Sequence, residues 1–147
     1  MRELERVLEM RRSVDDLNLR IEELESMVLP KAQVITGMPR GGEHENAIEK
    51  YTETKIMLEE KRDKILREMG RKWKVLEGRF EQCGITGWQK TMLEARFFFG
   101  YSWKRCVWVM QKAYPSEKWD EQKLFRMYRK VISRMKSHLV QNNQNQE

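Results

Sequence analysis

The chain has little of what most membrane proteins and enzymes are built from. No apolar run approaches the roughly 20 residues needed to span a bilayer. The opening Met-Arg-Glu-Leu-Glu-Arg carries no apolar signal-peptide core. The expected location is therefore the cytoplasm, with no membrane partner. Only two cysteines occur in 147 residues, and Cys83 and Cys106 lack any zinc-site spacing. In a reducing compartment they are expected to be free thiols, Cys106 packing as a small hydrophobe. His44 and His138 stand apart from any Cys or Ser in a nucleophile setting. There is no GxSxG, HExxH, Walker or Cys-x-x-Cys sequence, and Arg40-Gly41-Gly42 lacks P-loop spacing. No enzyme, no metal and no cofactor are expected. With three prolines and eight glycines, most of them at apparent breaks, the remaining stretches are free to be long helices.

What is present is charge, at 35% of residues against 39% hydrophobic. That balance favours elongated helices over a thick core. The net charge of +6 is uneven. Residues 1–82 hold 17 basic and 18 acidic side chains, a balance of −1; residues 83–147 hold 12 and 5, a balance of +7. A basic C-terminal part behind a near-neutral extension points to an anionic partner for one half of the chain.

Residues 2–29 read as a helix with a heptad seam: Val7, Val14, Ile21 and Val28 at one position, Met10, Leu17 and Leu24 at the matching one. Leu29-Pro30 is expected to end it, with residues 30–42 as a loop that reverses the chain. Helical patterning returns over 43–81, where Ile48, Lys55, Arg62, Met69 and Leu76 share one heptad position and Tyr51, Leu58 and Ile65 the other. A kink is expected near Gly70. Trp73, Leu76 and Phe80 then form a stripe expected to dock on the C-terminal domain. The two helices read most simply as an antiparallel hairpin, although a homo-oligomer built from the same helices satisfies the heptads equally.

The C-terminal part, 83–140, reads as three helices. The first covers 88–99, with Thr86 and Gln89 at capping-box spacing and Gly100 as an αL stop. The second covers 103–112, capped by Ser102. The third runs from Glu117 to about His138, capped by Ser116 after Pro115. On it Leu124, Tyr128, Val131, Met135 and Leu139 line one face, and Lys123, Arg126, Lys130 and Arg134 recur about 135° away. Trp119 falls near that basic face. Its expected place is against helix 103–112, the other reading being a stacking or groove contact. The polar Gln/Asn-rich tail, 141–147, is expected to be disordered. The expected fold is all-α: a long two-helix coiled-coil hairpin followed by a small helix-turn-helix domain.

The segment Leu93-Glu94-Ala95-Arg96-Phe97-Phe98-Phe99-Gly100-Tyr101-Ser102-Trp103 resembles the L-x-x-R-Y-x-x-G-x-S-W lead-in to the helix-turn-helix of sigma factor region four. More closely, the chain resembles small phage proteins that place a coiled coil before such a domain, the group of phage late-operon transcriptional regulators. Cys106-Val107 occupies the place of an Ile-Ala pair and Met110 that of the closing hydrophobic residue. Leu124, Tyr128, Val131, Ile132 and Met135 follow the downstream apolar pattern. One departure stands out: the stretch from Met110 to Leu124 is about seven residues longer than the short turn usual in such motifs.

This resemblance implies sequence-specific binding of double-stranded DNA, transcriptional regulation, and a phage-infected or lysogenic bacterial host. Lys118, Gln122, Lys123 and Arg126 would then enter the major groove, while Lys104, Arg105, Lys130 and Arg134 would hold phosphates. Two alternatives stay open. One is a DNA-packaging adaptor of the small-terminase kind; the other is a coiled-coil interaction module that binds a protein such as RNA polymerase.

Overall fold

The computed structural model describes residues 2–35 and 43–145; the side chains of 28–35, 43–46, 140 and 142–145 lie outside the described residues. Val28, His44 and the Arg40-Gly41-Gly42 segment, singled out above, are therefore not characterised. The described chain is all-α, with five α-helices and no strand. They are α1 (Arg2–Ile35), α2 (Glu43–Gln82), α3 (Trp88–Leu93), α4 (Trp103–Ala113) and α5 (Glu121–Asn145), with a π-helical turn, Glu94–Phe98, completing α3. No helix among the described residues is long and apolar enough to cross a membrane.

Two helix ends differ from the sequence reading. Helix α1 passes through Pro30 and continues to Ile35, so the expected loop 30–42 does not begin at Pro30. A proline inside a helix removes one backbone donor and its ring crowds the carbonyl four residues back, at a cost of about 3 kcal/mol, but its fixed φ is itself helical and the helix runs through it. Helix α5 extends to Asn145, so the expected disordered tail 141–147 is helical over its first five residues. Polar Gln and Asn side chains propagate a helix that is already nucleated, because each added residue gains one backbone bond. Helix α2 is continuous through Gly70 and Gly78, where a Cβ would meet nothing within 4 Å.

The chain divides into two compact units: Met1–Arg11 with Met69–Glu147, and Arg12–Glu68. In the second unit Val14, Leu17 and Ile21 of α1 are buried, each at a seam position. The α2 seam residues Tyr51, Lys55, Leu58, Arg62 and Ile65 are half-buried, and Ile48 is exposed. Arg62 Nη1 donates to Asn18 Oδ1 at 3.1 Å, and Lys55 Nζ pairs with Glu25 Oε1 at 3.0 Å. Residue numbers thus rise on one helix as they fall on the other, and the two run antiparallel here. The stems of Lys55 and Arg62 cover apolar surface while their heads reach polar partners.

The first unit holds the larger core. Leu4, Val7 and Leu8 of α1 are buried, as are Met69, Trp73, Leu76 and Phe80 of α2. Leu8 lies outside the heptad frame, while Met10, within it, is only half-buried. A helix facing a broad core buries a wider stripe than a two-helix seam does. Trp73 packs edge-on against Phe80 at 5.6 Å and tilted on Phe98 at 5.4 Å, so the aromatic stripe of α2 meets the π-turn. Gly84, Gly87 and Gly100 take positive φ and supply the left-handed positions that end α2, open α3 and close the π-turn.

The seam of the smaller unit gives a direct test. Leu17→Asp puts an unpaired carboxylate at a residue that is only 6% exposed, a burial that costs several kcal/mol. Circular dichroism melting is expected to show a clear fall in midpoint; an unchanged melt would refute the seam.

Candidate nucleic-acid interface

Helices α4 and α5 and the seven residues between them, 114–120, form the candidate site. The lead-in is the π-turn. Phe99 N–H donates to Glu94 O and Tyr101 N–H to Ala95 O, both at 3.0 Å, which closes the turn around Gly100 at φ +71. Ser102 caps α4, its hydroxyl accepting from Arg105 N–H at 3.2 Å. Helix α3 has no such side-chain cap. Its N-cap is Gly87, not Thr86, and Thr91 bonds back to the Gly87 carbonyl through both N–H and hydroxyl.

The expected start of the third helix at Glu117, with Ser116 as cap, is not what forms. Helix α5 starts at Glu121, and Asp120 is its cap, with Oδ1 accepting from Lys123 N–H at 2.7 Å. Gln111 is the physical reason. Its amide donates to Glu117 O at 3.1 Å and accepts from Trp119 N–H at 3.2 Å. Backbone groups that a helix from Glu117 would need are thereby committed to α4. Trp119, only 7% exposed, donates from Nε1 to Tyr114 O at 3.0 Å and packs against Trp88 and Tyr114. It is a core residue that holds the long connection against α4.

Helix α5 buries Leu124, Val131 and Met135. At 100° per residue the opposite face carries Gln122, Arg126, Arg129, Ser133 and Lys136, all exposed. Phe125 is 39% exposed and lies at 4.8 Å from the Trp103 ring, itself under the Arg96 guanidinium at 5.1 Å. Gln122, Phe125, Arg126 and Arg129 line an open concavity of about 440 Å³. Helix α4 has no acidic residue, and Lys104, Arg105, Trp108 and Lys112 are exposed on it. Arg105 lies 4.3 Å over Tyr101, and Lys112 4.4 Å over Trp108, which is 56% exposed.

The eight residues singled out by sequence therefore separate into groups. Gln122, Arg126 and Lys130 are exposed on α5, and Lys104 and Arg105 on α4. Lys118 is exposed but sits in the connection, off the helix. Arg134 is exposed and near enough to Cys83 for its charge to favour the thiolate there. Lys123 is a structural residue: its ammonium pairs with Glu117 Oε2 at 3.0 Å, donates to Lys118 O at 3.1 Å and lies 4.7 Å over the Trp119 ring. Arg129, Phe125 and Lys136 were missed. For Arg129 the signal was the i, i+4, i+7 spacing of Gln122, Arg126 and Arg129, as regular as the series chosen.

Comparison of the chain with protein-family models, with curated proteins and with solved structures gives no match in any of the three.

Beneath this surface Cys106 is fully buried, with its thiol 3.8 Å from Tyr101 O. Burial pushes its pKa from 9.0 up to about 11. A raised acid is neutral in the fold after it would have ionised in the unfolded chain, so its contribution to stability is complete below pH 9 and lost as pH climbs to about 11. Urea midpoints of wild type and Cys106→Ala are expected to converge across that window, and iodoacetamide at pH about 8 is expected to label Cys83 well before Cys106. Equal labelling of the two thiols in the folded chain would contradict the packing.

The cap of α5 is tested separately. Asp120→Ala removes the acceptor for Lys123 N–H and is expected to cost about 1 kcal/mol in urea unfolding. A variant as stable as wild type would show that this bond does not hold the start of α5.

Proposed function

We propose that the protein is a sequence-specific DNA-binding regulator of transcription, with α4 and α5 as its helix-turn-helix and α5 as recognition helix, carried behind a coiled-coil hairpin of α1 and α2. One observation carries this reading: the outward face of α5 presents Gln122, Arg126 and Arg129 around an open concavity, exposed and without an ion pair to any described residue. An exposed helix of this kind fits a major groove about 12 Å wide. Gln122 is suited to adenine and the two arginines to guanine, each contact discriminating by roughly 1–3 kcal/mol. Lys130 and Lys136 further along α5, with Lys104 and Arg105 on α4, are suited to phosphates. The resemblance to sigma region four supports the same reading. The long connection shifts contact away from Lys123, whose charge is spent on Glu117 and Trp119.

Selection from random duplex DNA is expected to enrich one motif. Arg126→Glu/Arg129→Glu should abolish its recognition without loss of fold. Lys130→Ala should weaken all sequences alike and lower the slope of log affinity against log salt by about one. Lys123→Ala should change stability more than affinity. If the folded Arg126→Glu/Arg129→Glu variant binds the selected duplex as wild type does, α5 is not the recognition helix.

A further inference from the structure

The two compact units differ in charge. The unit formed by Met1–Arg11 and Met69–Glu147 carries 19 basic and 10 acidic residues, and the unit Arg12–Glu68 carries 10 and 13, balances of +9 and −3. Each also leaves an apolar surface uncovered among charges of its own sign.

In the basic unit a cavity of about 240 Å³ opens among Glu3, Arg6, Lys72, Val75, Leu76 and Arg79. Leu76 is buried, whereas Val75 is 67% exposed. A backbone hydrogen bond and the Arg79 guanidinium hold the Glu3 carboxyl below its ordinary value, and the two side chains bridge at 3.1 Å. Arg6 and Lys72 have no ion-pair partner among the described residues. The groove therefore offers methyl surface flanked by two unneutralised cations, and one of its cations already demonstrates the ligand it accepts, a carboxylate.

The acidic unit presents the converse. On α2, Glu49, Glu53, Ile56, Met57 and Glu60 are all exposed. At 100° per residue they fall in one sector about 100° wide, turned away from the Tyr51, Leu58 and Ile65 seam. Ile56 is 48% and Met57 64% exposed, bracketed by three glutamates that have no ion-pair partner among the described residues. Both this face and the lysine side of the groove belong to the single helix α2, so one copy's face cannot fold back into its own groove, and the opposite charges of the two surfaces point to the groove of a second copy.

We propose that copies of this chain associate head to tail, the Glu49, Glu53, Ile56, Met57 and Glu60 face of one seated in the Arg6, Lys72, Val75 and Arg79 groove of the next. The contact uses a different surface on each side, so it closes into a ring or continues as a chain. The proposal is independent of how α5 is used.

Sedimentation of the full chain at micromolar concentration tests it. The expected mass is at least twice 17.9 kDa, falling toward monomer as salt screens the paired charges. Arg6→Glu/Lys72→Glu and Glu53→Arg/Glu60→Arg should each be monomeric with wild-type helicity, and mixing the two should restore association, because each then presents what the other lost. Val75→Asp gives an independent disruption at an exposed position. A discrete mass would indicate a ring and a concentration-dependent one a chain, and both support the contact. A wild-type monomer at hundreds of micromolar in low salt, association untouched by these variants, or failure of the mixture to reassociate would each overturn it.

Discussion

The close approach of Arg11 to Gly100 is the constraint on which the placement of α4 depends. A Cβ at Gly100 would lie 2.6 Å from the Arg11 Cγ, and the glycine has φ +71. Arg11 Nε donates to Phe98 O at 2.7 Å and its guanidinium lies 5.6 Å over the Phe98 ring. One side chain from α1 thus satisfies the carbonyl freed by the π-turn and sets the turn's outer wall. The chain then has two residues in which to reach the Ser102 cap, so the direction of α4 follows from the turn. Any residue other than glycine at position 100 meets both the αL penalty and the arginine stem.

The basic side chains of this unit perform two different jobs. Arg11, Arg96 and Lys123 are engaged with carbonyls, a carboxylate or ring faces, where charge-assisted hydrogen bonds are stronger than neutral ones. Arg126, Arg129 and Lys130 stay exposed on α5. Net charge in the sequence adds both kinds together, and only the engaged ones bear on folding. The separation is chemical as well as spatial: Glu117 neutralises Lys123, while α5 carries no acid after Glu121.

Periodicity made the long helices and the Val14, Leu17 and Ile21 seam legible, because apolar spacing is a property of the sequence itself. The glycine stop at Gly100 and the Ser102 cap were legible for the same reason: αL geometry and a capping hydroxyl have local signatures. The start of α5 was not. Ser116 and Pro115 have the local chemistry of a helix start, yet Gln111, six residues upstream of Glu117, takes the backbone groups that start would use. A side chain reaching across from another helix leaves no trace in spacing. The four-residue error then carried Lys118 off the helix and turned Lys123 from a contact into a brace. The part played by Arg11 was equally invisible, lying 87 residues from its acceptor.

All five tryptophans, Trp73, Trp88, Trp103, Trp108 and Trp119, belong to the unit that contains α3, α4 and α5. The other unit has a single Tyr51 as its only aromatic residue. Intrinsic tryptophan emission therefore sees one unit alone, whereas far-ultraviolet ellipticity sums the helices of both. The molecule has a built-in optical label for cooperativity: coincident transitions by the two signals mean that the units melt as one, and a lag between them means that each has a stability of its own.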